Sequence, residues 1–379
     1  MDFNLNQDQK AFVHLAAQFA QAELAPLAAH WDQAHIFPKE VIHKAGDLGF
    51  CGLYSPLEQG GLGLPRLDAV LIFEALAEGC TATTAMLTIH NMVAWMITSF
   101  ASAEIKEVWS EPLTTGKKLG SYCLTEPGSG SDAVSLKTTA VADGSDYVVN
   151  GEKVFISGAG ATEVLVVMCR TGASGSDGIS ALVIPADAEG ITYGKPEKKL
   201  GWHAQPTCSV SFRDVRVAKS HLLAEEGQGF KLAMQGLDGG RLNIAACSLG
   251  TAQAALNQTK KYMHERQQFG RRLADFQALQ FKYADMETEL AAARQLLYWA
   301  AFQLDSNHPE KVSACAMAKR FVTDIGFQVC NEALQIHGGY GYIQDYPLER
   351  YLRDVRVHQI LEGTNEIMRL IIARRLLEL

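Results

Sequence analysis

The stretch Val141-Ala142-Asp143-Gly144-Ser145-Asp146-Tyr147-Val148-Val149-Asn150-Gly151 decides the fold of this 379-residue chain. Asp-Gly and Asn-Gly pairs supply the φ > 0 residues that tight turns need, so Asp143-Gly144 and Asn150-Gly151 each predict a turn between short strands. β-Branched and aromatic runs surround them: Val154-Phe155-Ile156, Val164-Leu165-Val166-Val167, Ile179 to Ile184, and Val210 to Val217. Many short strands with regular turns predict a small barrel or sandwich over residues 117–225.

On either side the period is helical. Residues 1–116 open with Asn6 or Asp8 as a cap for a helix carrying Phe12, Leu15, Ala16 and Phe19 on one face, interrupted by Pro26. The loop Gly60-Gly61-Leu62-Gly63, with Pro65, leads into the spacing of Val70, Phe73 and Ala77. From Gly79 to Ala103 there is no Asp, Glu, Lys or Arg, a length that spans a bilayer. Its threonines, serines, His90 and Asn91 are too polar for lipid, so a helix buried within the protein is expected. Over residues 226–379 Met286, Leu290, Leu297 and Leu304 share one stripe, as on a long bundle helix, with Pro309 and Gly338-Gly339 as breaks. The fold class is α+β, mostly α: helices, then strands, then helices.

Composition narrows the function. With 34 basic and 42 acidic side chains the net charge is −8, and the basic residues cluster no further than pairs such as Lys198-Lys199 and Arg271-Arg272. An acidic chain without a Lys/Arg run is a poor nucleic-acid binder. The eight cysteines form no Cys-x-x-Cys pair, which predicts reduced, buried thiols rather than a disulfide or zinc framework. Met1-Asp2-Phe3-Asn4-Leu5 resembles neither a signal nor a transit peptide, so a cytoplasmic protein is expected.

Several motifs fail on context. Gly128-Ser129-Gly130-Ser131-Asp132-Ala133 matches the dinucleotide fingerprint in letters, but strand and hairpin signals follow it where a helix is required. Its glycines still let backbone amides approach a ligand. His264-Glu265 lacks the second histidine of a zinc helix, and no serine-hydrolase elbow or Walker loop is present, so no metal site is expected.

Four segments remain: Tyr122 to Ser131, Asp238-Gly239-Gly240-Arg241 read as a helix start, Gln335-Ile336-His337-Gly338-Gly339, and Leu361-Glu362-Gly363-Thr364-Asn365-Glu366. In the last, a lone carboxylate, Glu362, stands between Val357, Ile360 and Leu361 and a turn opening the helix of Ile367, Leu370 and Ile371. An acid between apolar walls holds its proton to higher pH and can act as a base near neutrality; the alternative is a surface Glu near a helix N-terminus.

Taken together, Tyr122-Cys123-Leu124-Thr125-Glu126-Pro127-Gly128-Ser129-Gly130-Ser131-Asp132, Arg266-x-x-Phe269-Gly270, Gln335 to Gly339 and Glu362-Gly363-Thr364 resemble, in order and spacing, the acyl-CoA dehydrogenase family over essentially the whole chain. The resemblance implies an N-terminal helical domain (1–116), a central β-barrel (117–225) and a C-terminal four-helix bundle (226–379), assembled as a homotetramer, a dimer of dimers. It implies bound FAD, an acyl-CoA substrate and electron-transfer flavoprotein as acceptor. Glu362 would take the Cα proton while a hydride leaves Cβ for the flavin, the enolate oxygen being stabilised by the Glu362 amide and a flavin hydroxyl. FAD would be bound by Tyr122, Cys123, Leu124, Thr125, Glu126, Pro127, Gly128, Ser129, Gly130, Ser131, Phe155, Ile156 and Ser157, and by Thr364, Asn365 and Glu366. Arg266, Phe276, Gln277, Gln335, Ile336, His337, Gly338 and Gly339 would reach it partly across a dimer interface. Ser131, Asp238, Gly239, Gly240, Arg241, Gly363 and Arg374 would touch the substrate.

The chain departs from many members at two positions. Phe155 stands where a Trp faces the flavin, and Gly240 occupies an alternative base position, which concentrates the base assignment on Glu362. Val167 to Gly172, Lys198 to Trp202, Gln205-Pro206-Thr207 and Gly239 to Ala245 resemble most the valine-catabolic branch of the family, which converts isobutyryl-CoA to methacrylyl-CoA. One methylene is worth only ~1–3 kcal/mol in an apolar pocket, so butyryl-CoA and 2-methylbutyryl-CoA are competing substrates. An acyl-CoA oxidase and a non-catalytic acyl-CoA-binding protein are the rival readings. The ending Leu376-Leu377-Glu378-Leu379, which is no peroxisomal address, and the intact Glu362 count against them.

Overall fold

A computed structural model describes residues 4–378; Met1 to Phe3 and Leu379, on which the readings of the two ends partly rest, lie outside the described residues. The first helix, α1 (Gln7–Phe19), starts from Asn6, whose side chain accepts from the Gln9 amide while Gln9 answers the Asn6 amide. This reciprocal cap satisfies two donors that a helix start leaves free. Ala16 and Phe19 face the core, whereas Leu15 lies on the exposed side. Pro26 does not break the helix. A wide turn at Ala20–Leu24 absorbs it and places it in the first turn of α2 (Ala25–Ala34), where a missing N–H costs nothing.

After α3 (Lys39–Asp47) and α4 (Arg66–Ala77), the charge-free segment forms α5 (Thr81–Phe100), buried along most of its length. Its polar residues are satisfied internally. Thr84 and Thr98 donate back to carbonyls one turn earlier, and Asn91 donates to Phe50 and accepts from the Leu53 amide. His90 accepts from the Gly120 amide through Nδ1, leaving Nε2 to donate to the Leu113 carbonyl. Burial holds the ring neutral by pushing its pKa down to about 4. No helix of the described residues is long and apolar enough to cross a membrane.

Following α6 (Ala103–Thr114) come eight strands in one curled sheet. They are β1 (Gly120–Cys123), β2 (Thr139–Asp143), β3 (Asp146–Ser157), β4 (Val164–Arg170), β5 (Ile179–Pro185), β6 (Ile191–Tyr193), β7 (Thr207–Ala218) and β8 (Leu222–Leu223). The order is β6-β7-β3-β2-β4-β5-β8, with β1 alongside β4. Asp143-Gly144 makes the expected hairpin, pairing Asp143 with Asp146. Asn150-Gly151 does not turn. It is a bulge inside β3, where the register with β7 shifts, and a Cβ on Gly151 would stand 2.5 Å from the Thr138 hydroxyl. Glycine is required there by close approach, not by chain reversal.

The C-terminal part comprises α7 (Gly229–Glu265), α8 (Gln277–Asp305) and α9 (Lys311–His337), then α10 (Gly339–Tyr342), α11 (Leu348–Arg356) and α12 (Asn365–Leu376). Helices α7, α8 and α9 pack on one another, α12 lies on α9, and α4 and α5 pack on α7. Both helical ends therefore share one core, which includes Phe73, Leu76, Leu249 and Val322. The sheet leans on this core through α5 and α7, and the junction leaves a cleft.

Candidate active site

The cleft is built around a turn. After α11 the chain passes through a short 3-10 turn (Val357–Gln359) and then places two successive residues in the left-handed region, Glu362 at φ 54° and Gly363 at φ 89°. The second is natural for glycine, whereas the first strains a residue with a Cβ. Two contacts fix the turn. Lys319 of α9, fully buried, donates to the Gly363 carbonyl at 2.7 Å, and Thr364 caps α12 by accepting from the Ile367 amide.

Glu362 as a residue is half-buried, but its Oε2 is out of solvent and has no hydrogen-bond partner. Burial pushes its carboxyl up to about 7, against the pull of Lys319 and Arg241, which favour the ionised form. Room for the carboxylate comes from Gly240 on α7, where a Cβ would stand 2.2 Å from Oε2. The neighbouring Gly239 similarly makes room for the Arg66 guanidinium, which lies 3.4 Å from the centre of the Tyr54 ring.

A cleft of about 310 Å³ opens beside Glu362. Its helical wall is Ile89 and Met92 from α5 and Phe230, Met234, Leu237 and Arg241 from α7, closed by Ile367 and Ile371. Its sheet wall is Tyr122, Leu124, Thr125, Gly130, Ser131 and Phe155 to Ser157, with Trp202. Three non-glycine residues in left-handed conformations, Phe155 (φ 57°), Trp202 (φ 56°) and Glu362, all face this one space. Such strain persists only where the surroundings over-determine it, and it collects at functional sites.

The fixing contacts are visible for Trp202. Its amide donates to Asp354 at 2.6 Å and its indole N–H donates to His358 Nε2 at 3.2 Å. His358 Nδ1 therefore carries the proton and donates to Ser248, consistent with burial lowering the ring's pKa to about 3. Phe155 sits at a second register shift of β3, which turns its ring out of the sheet so that it is 66% exposed. The Tyr122 hydroxyl is buried without a partner, and burial and the Glu362 charge both disfavour its ionisation.

The segment Tyr122 to Ser131 divides in function. Glu126 and Ser129 pair reciprocally through their backbones, so Pro127 and Gly128 form the tip of a tight loop. The Glu126 side chain points inward, accepting from the Lys137 and Thr138 amides and pairing with fully buried Lys153 at 2.7 Å. It holds the loop and presents no carboxylate to the cleft. Asn365 is likewise internal: it accepts from Lys319 and donates to Asp324. Cys123 is buried, and Glu366 is exposed beside Arg369.

Five of the residues expected to reach the cofactor partly across a dimer interface gather at a second cleft, of about 440 Å³, that shares no lining residue with the first. It is lined by Arg266, Ile336, His337, Gly338 and Gly339, with Tyr262, Tyr340 and Ile343 among the rest. Gln335, Phe276 and Gln277 line neither cleft; Phe276 lies under Arg271 and against Phe269. Asp238 pairs with Arg241, and Arg374 is exposed on α12, lining neither cleft. The sequence reading missed Met92, Phe230, Met234, Trp202 and Lys319. The signal for Lys319 was present: a lysine on the same helical stripe as buried Cys315 and Val322.

Helices, curled sheet and helices thus meet at a strained, largely apolar cleft beside the Glu362 carboxyl. The chain belongs to the acyl-CoA dehydrogenase family: the family's N-terminal, middle and C-terminal domain models match residues 6–117, 121–215 and 227–377. It is 50% identical to the mitochondrial isobutyryl-CoA dehydrogenase of Bos taurus over 374 residues, 99% of this chain and 90% of that protein. The structure of butyryl-CoA dehydrogenase from Megasphaera elsdenii superposes with a TM-score of 0.96 at 40% identity, all of both chains being covered. PigA in complex with FAD superposes at 0.95, with 29% identity and 99% of each chain covered. The family cofactor is FAD, and the residues present suit it. Gly128, Gly130, Gly338 and Gly339 face open space, while His337 Nε2 and the Tyr122 hydroxyl are buried donors or acceptors without partners.

Proposed function

We propose that this enzyme dehydrogenates a short, α-branched acyl-CoA, isobutyryl-CoA to methacrylyl-CoA, with Glu362 as the base, as a step of valine breakdown. The observation that carries the reading is the Glu362 carboxylate: its Oε2 is out of solvent and unpartnered, and a strained turn holds it against a largely apolar cleft. A general base works best with a pKa near the working pH, and burial supplies that here.

In this mechanism Glu362 takes the Cα proton on its carboxylate. Its own amide, which makes no hydrogen bond within the described residues, is free to donate to the thioester oxygen as negative charge develops there. FAD, when bound, supplies the acceptor for the hydride from Cβ. Tyr122, Phe155 and Trp202 line the cleft in which the acyl group and the flavin would meet. Tyr122, Leu124, Thr125, Gly130 and Ser131, with Phe155 to Ser157 and Thr364, would hold the near part of the cofactor. Arg266 and His337 to Gly339 would hold the far part from the second cleft, which supports a site completed across a dimer within a tetramer. Electron-transfer flavoprotein as the acceptor, and domains at 1–116, 117–225 and 226–379, follow from the same family reading.

A second reading, a straight short-chain substrate, is favoured by the likeness to a butyryl-CoA dehydrogenase. Anaerobic stopped-flow bleaching of the flavin with isobutyryl-CoA, butyryl-CoA and 2-methylbutyryl-CoA separates the two. Isobutyryl-CoA reducing fastest by tenfold or more supports the branched reading, whereas butyryl-CoA reducing fastest replaces it.

A further inference from the structure

We propose that Lys319 is the positioning residue and counter-charge of Glu362, a role that rests on Glu362 being the base. Lys319 is fully buried, and its ammonium touches two neutral oxygens: the Gly363 carbonyl at 2.7 Å and Asn365 Oδ1 at 2.9 Å. Among the described residues it forms no ion pair, unlike the other fully buried lysine, Lys153, which is matched by Glu126. A buried ammonium without a carboxylate partner is costly, and an apolar side chain of the same shape would serve packing better. The two hydrogen bonds account for the aim of the turn, because they pin the residue directly after Glu362 and the first residue of α12. They do not account for the charge. Burial pushes the Lys319 ammonium down to about 8, and Glu362, next to the carbonyl that Lys319 grips, is the group that most favours its ionised form, against Arg241 and with smaller help from Asp324 and Glu366.

The titratable groups whose charge bears on Glu362, or on which its charge bears, come from several elements. Tyr54 and Tyr122 approach from the N-terminal loop and β1, and Arg241 and Cys247 from α7; Lys319 approaches from α9. The tyrosines and the cysteine are held neutral by burial, so Lys319 and Arg241 supply the positive field. Arg241 is already paired with Asp238 at 2.7 Å, which leaves Lys319 as the cation not spent on another carboxylate. With it in place the carboxylate can ionise in an apolar cleft and still be a strong enough base when substrate arrives. Without it the proton would be held too tightly near neutrality.

The test compares Lys319→Met, which removes the charge and keeps the bulk, with Lys319→Gln, which removes the charge and keeps a donor. Two readouts are taken on the FAD-loaded enzyme: the acid limb of flavin reduction by isobutyryl-CoA, and the infrared titration of the carboxyl band that Glu362→Gln abolishes. In both variants the limb and the band midpoint are expected to move to higher pH together, by on the order of one unit, the usual size for losing a near opposite charge. A lowered plateau rate with limb and midpoint unmoved would make Lys319 merely structural and overturn the proposal. So would failure of both variants to fold and hold flavin. Failure of the base reading looks different: Glu362→Gln would then keep wild-type reduction whatever stands at 319.

Discussion

A Cβ on Gly240 would stand 2.2 Å from Oε2 of Glu362, so one helix glycine holds open the space occupied by the carboxylate of the other segment. Gly240 lies inside the 37-residue helix α7, which begins at Gly229 and not at Asp238 as the sequence suggests, and in a helix interior glycine costs about 1 kcal/mol relative to alanine. The site tolerates that cost because any side chain would displace the base.

Gly240→Ala should therefore separate stability from activity. The clash falls on the far end of a flexible side chain, while the helix gains propensity. The melting temperature is expected to hold or rise, and the rate of flavin reduction to fall by about tenfold to a thousandfold, the range in which misplacing a general base operates. Calorimetry beside stopped-flow reduction checks it, and a variant with wild-type rate would show that Glu362 does not need this space.

Glu362→Gln should keep the yellow flavin and bind thioester, while reduction falls by about 10²–10⁴-fold. In the wild type the rate is expected to rise with pH up to about 7 and then level, because burial holds the carboxyl protonated below that point. A pH profile with no limb in that region would remove Glu362 from the base role.

Stability should follow the same group in the opposite sense. A carboxyl whose pKa is raised on folding disfavours the fold when it ionises, so stability is lost as pH rises from the ordinary carboxylate range to about 7. Glu362→Gln cannot ionise. Its melting temperature should match the wild type near pH 4.5 and exceed it above pH 7, as differential scanning calorimetry at the two pH values would show.

Glu126→Ala should destabilise by about 3–5 kcal/mol, because it leaves the fully buried Lys153 ammonium without its partner. It also frees the Lys137 and Thr138 amides that shape the loop. Denaturant unfolding measures the loss, and replacing both residues together with apolar ones should recover much of it. Loss of FAD without loss of stability would instead put the Glu126 carboxylate in contact with the cofactor.

The order of helices, strands and helices was legible because periodicity is a local property. The alternating runs from Tyr147 to Val217 and the helical stripe of Met286, Leu290 and Leu297 each report their own element. The buried character of α5 was legible too, since a long charge-free run with threonines suits a protein interior better than lipid. Asn150-Gly151 was misleading for a physical reason. The same dipeptide serves a turn or a bulge, and whether Thr138 crowds it depends on a strand that the local sequence does not show.

The sequence by itself determined the family, the three-part architecture and the one carboxyl placed between apolar residues before a Gly turn. These depend on residues adjacent in the chain or on motifs in fixed order. Only the tertiary structure decided that Gly240 is the space for Glu362, that Lys319 reaches the Gly363 carbonyl across 44 residues, and that Glu126 turns away from the cleft. Burial, charge pairing and steric room belong to surfaces brought together by packing. A helix period can place Lys319 on the inner stripe, but it cannot say which carbonyl its ammonium will meet there.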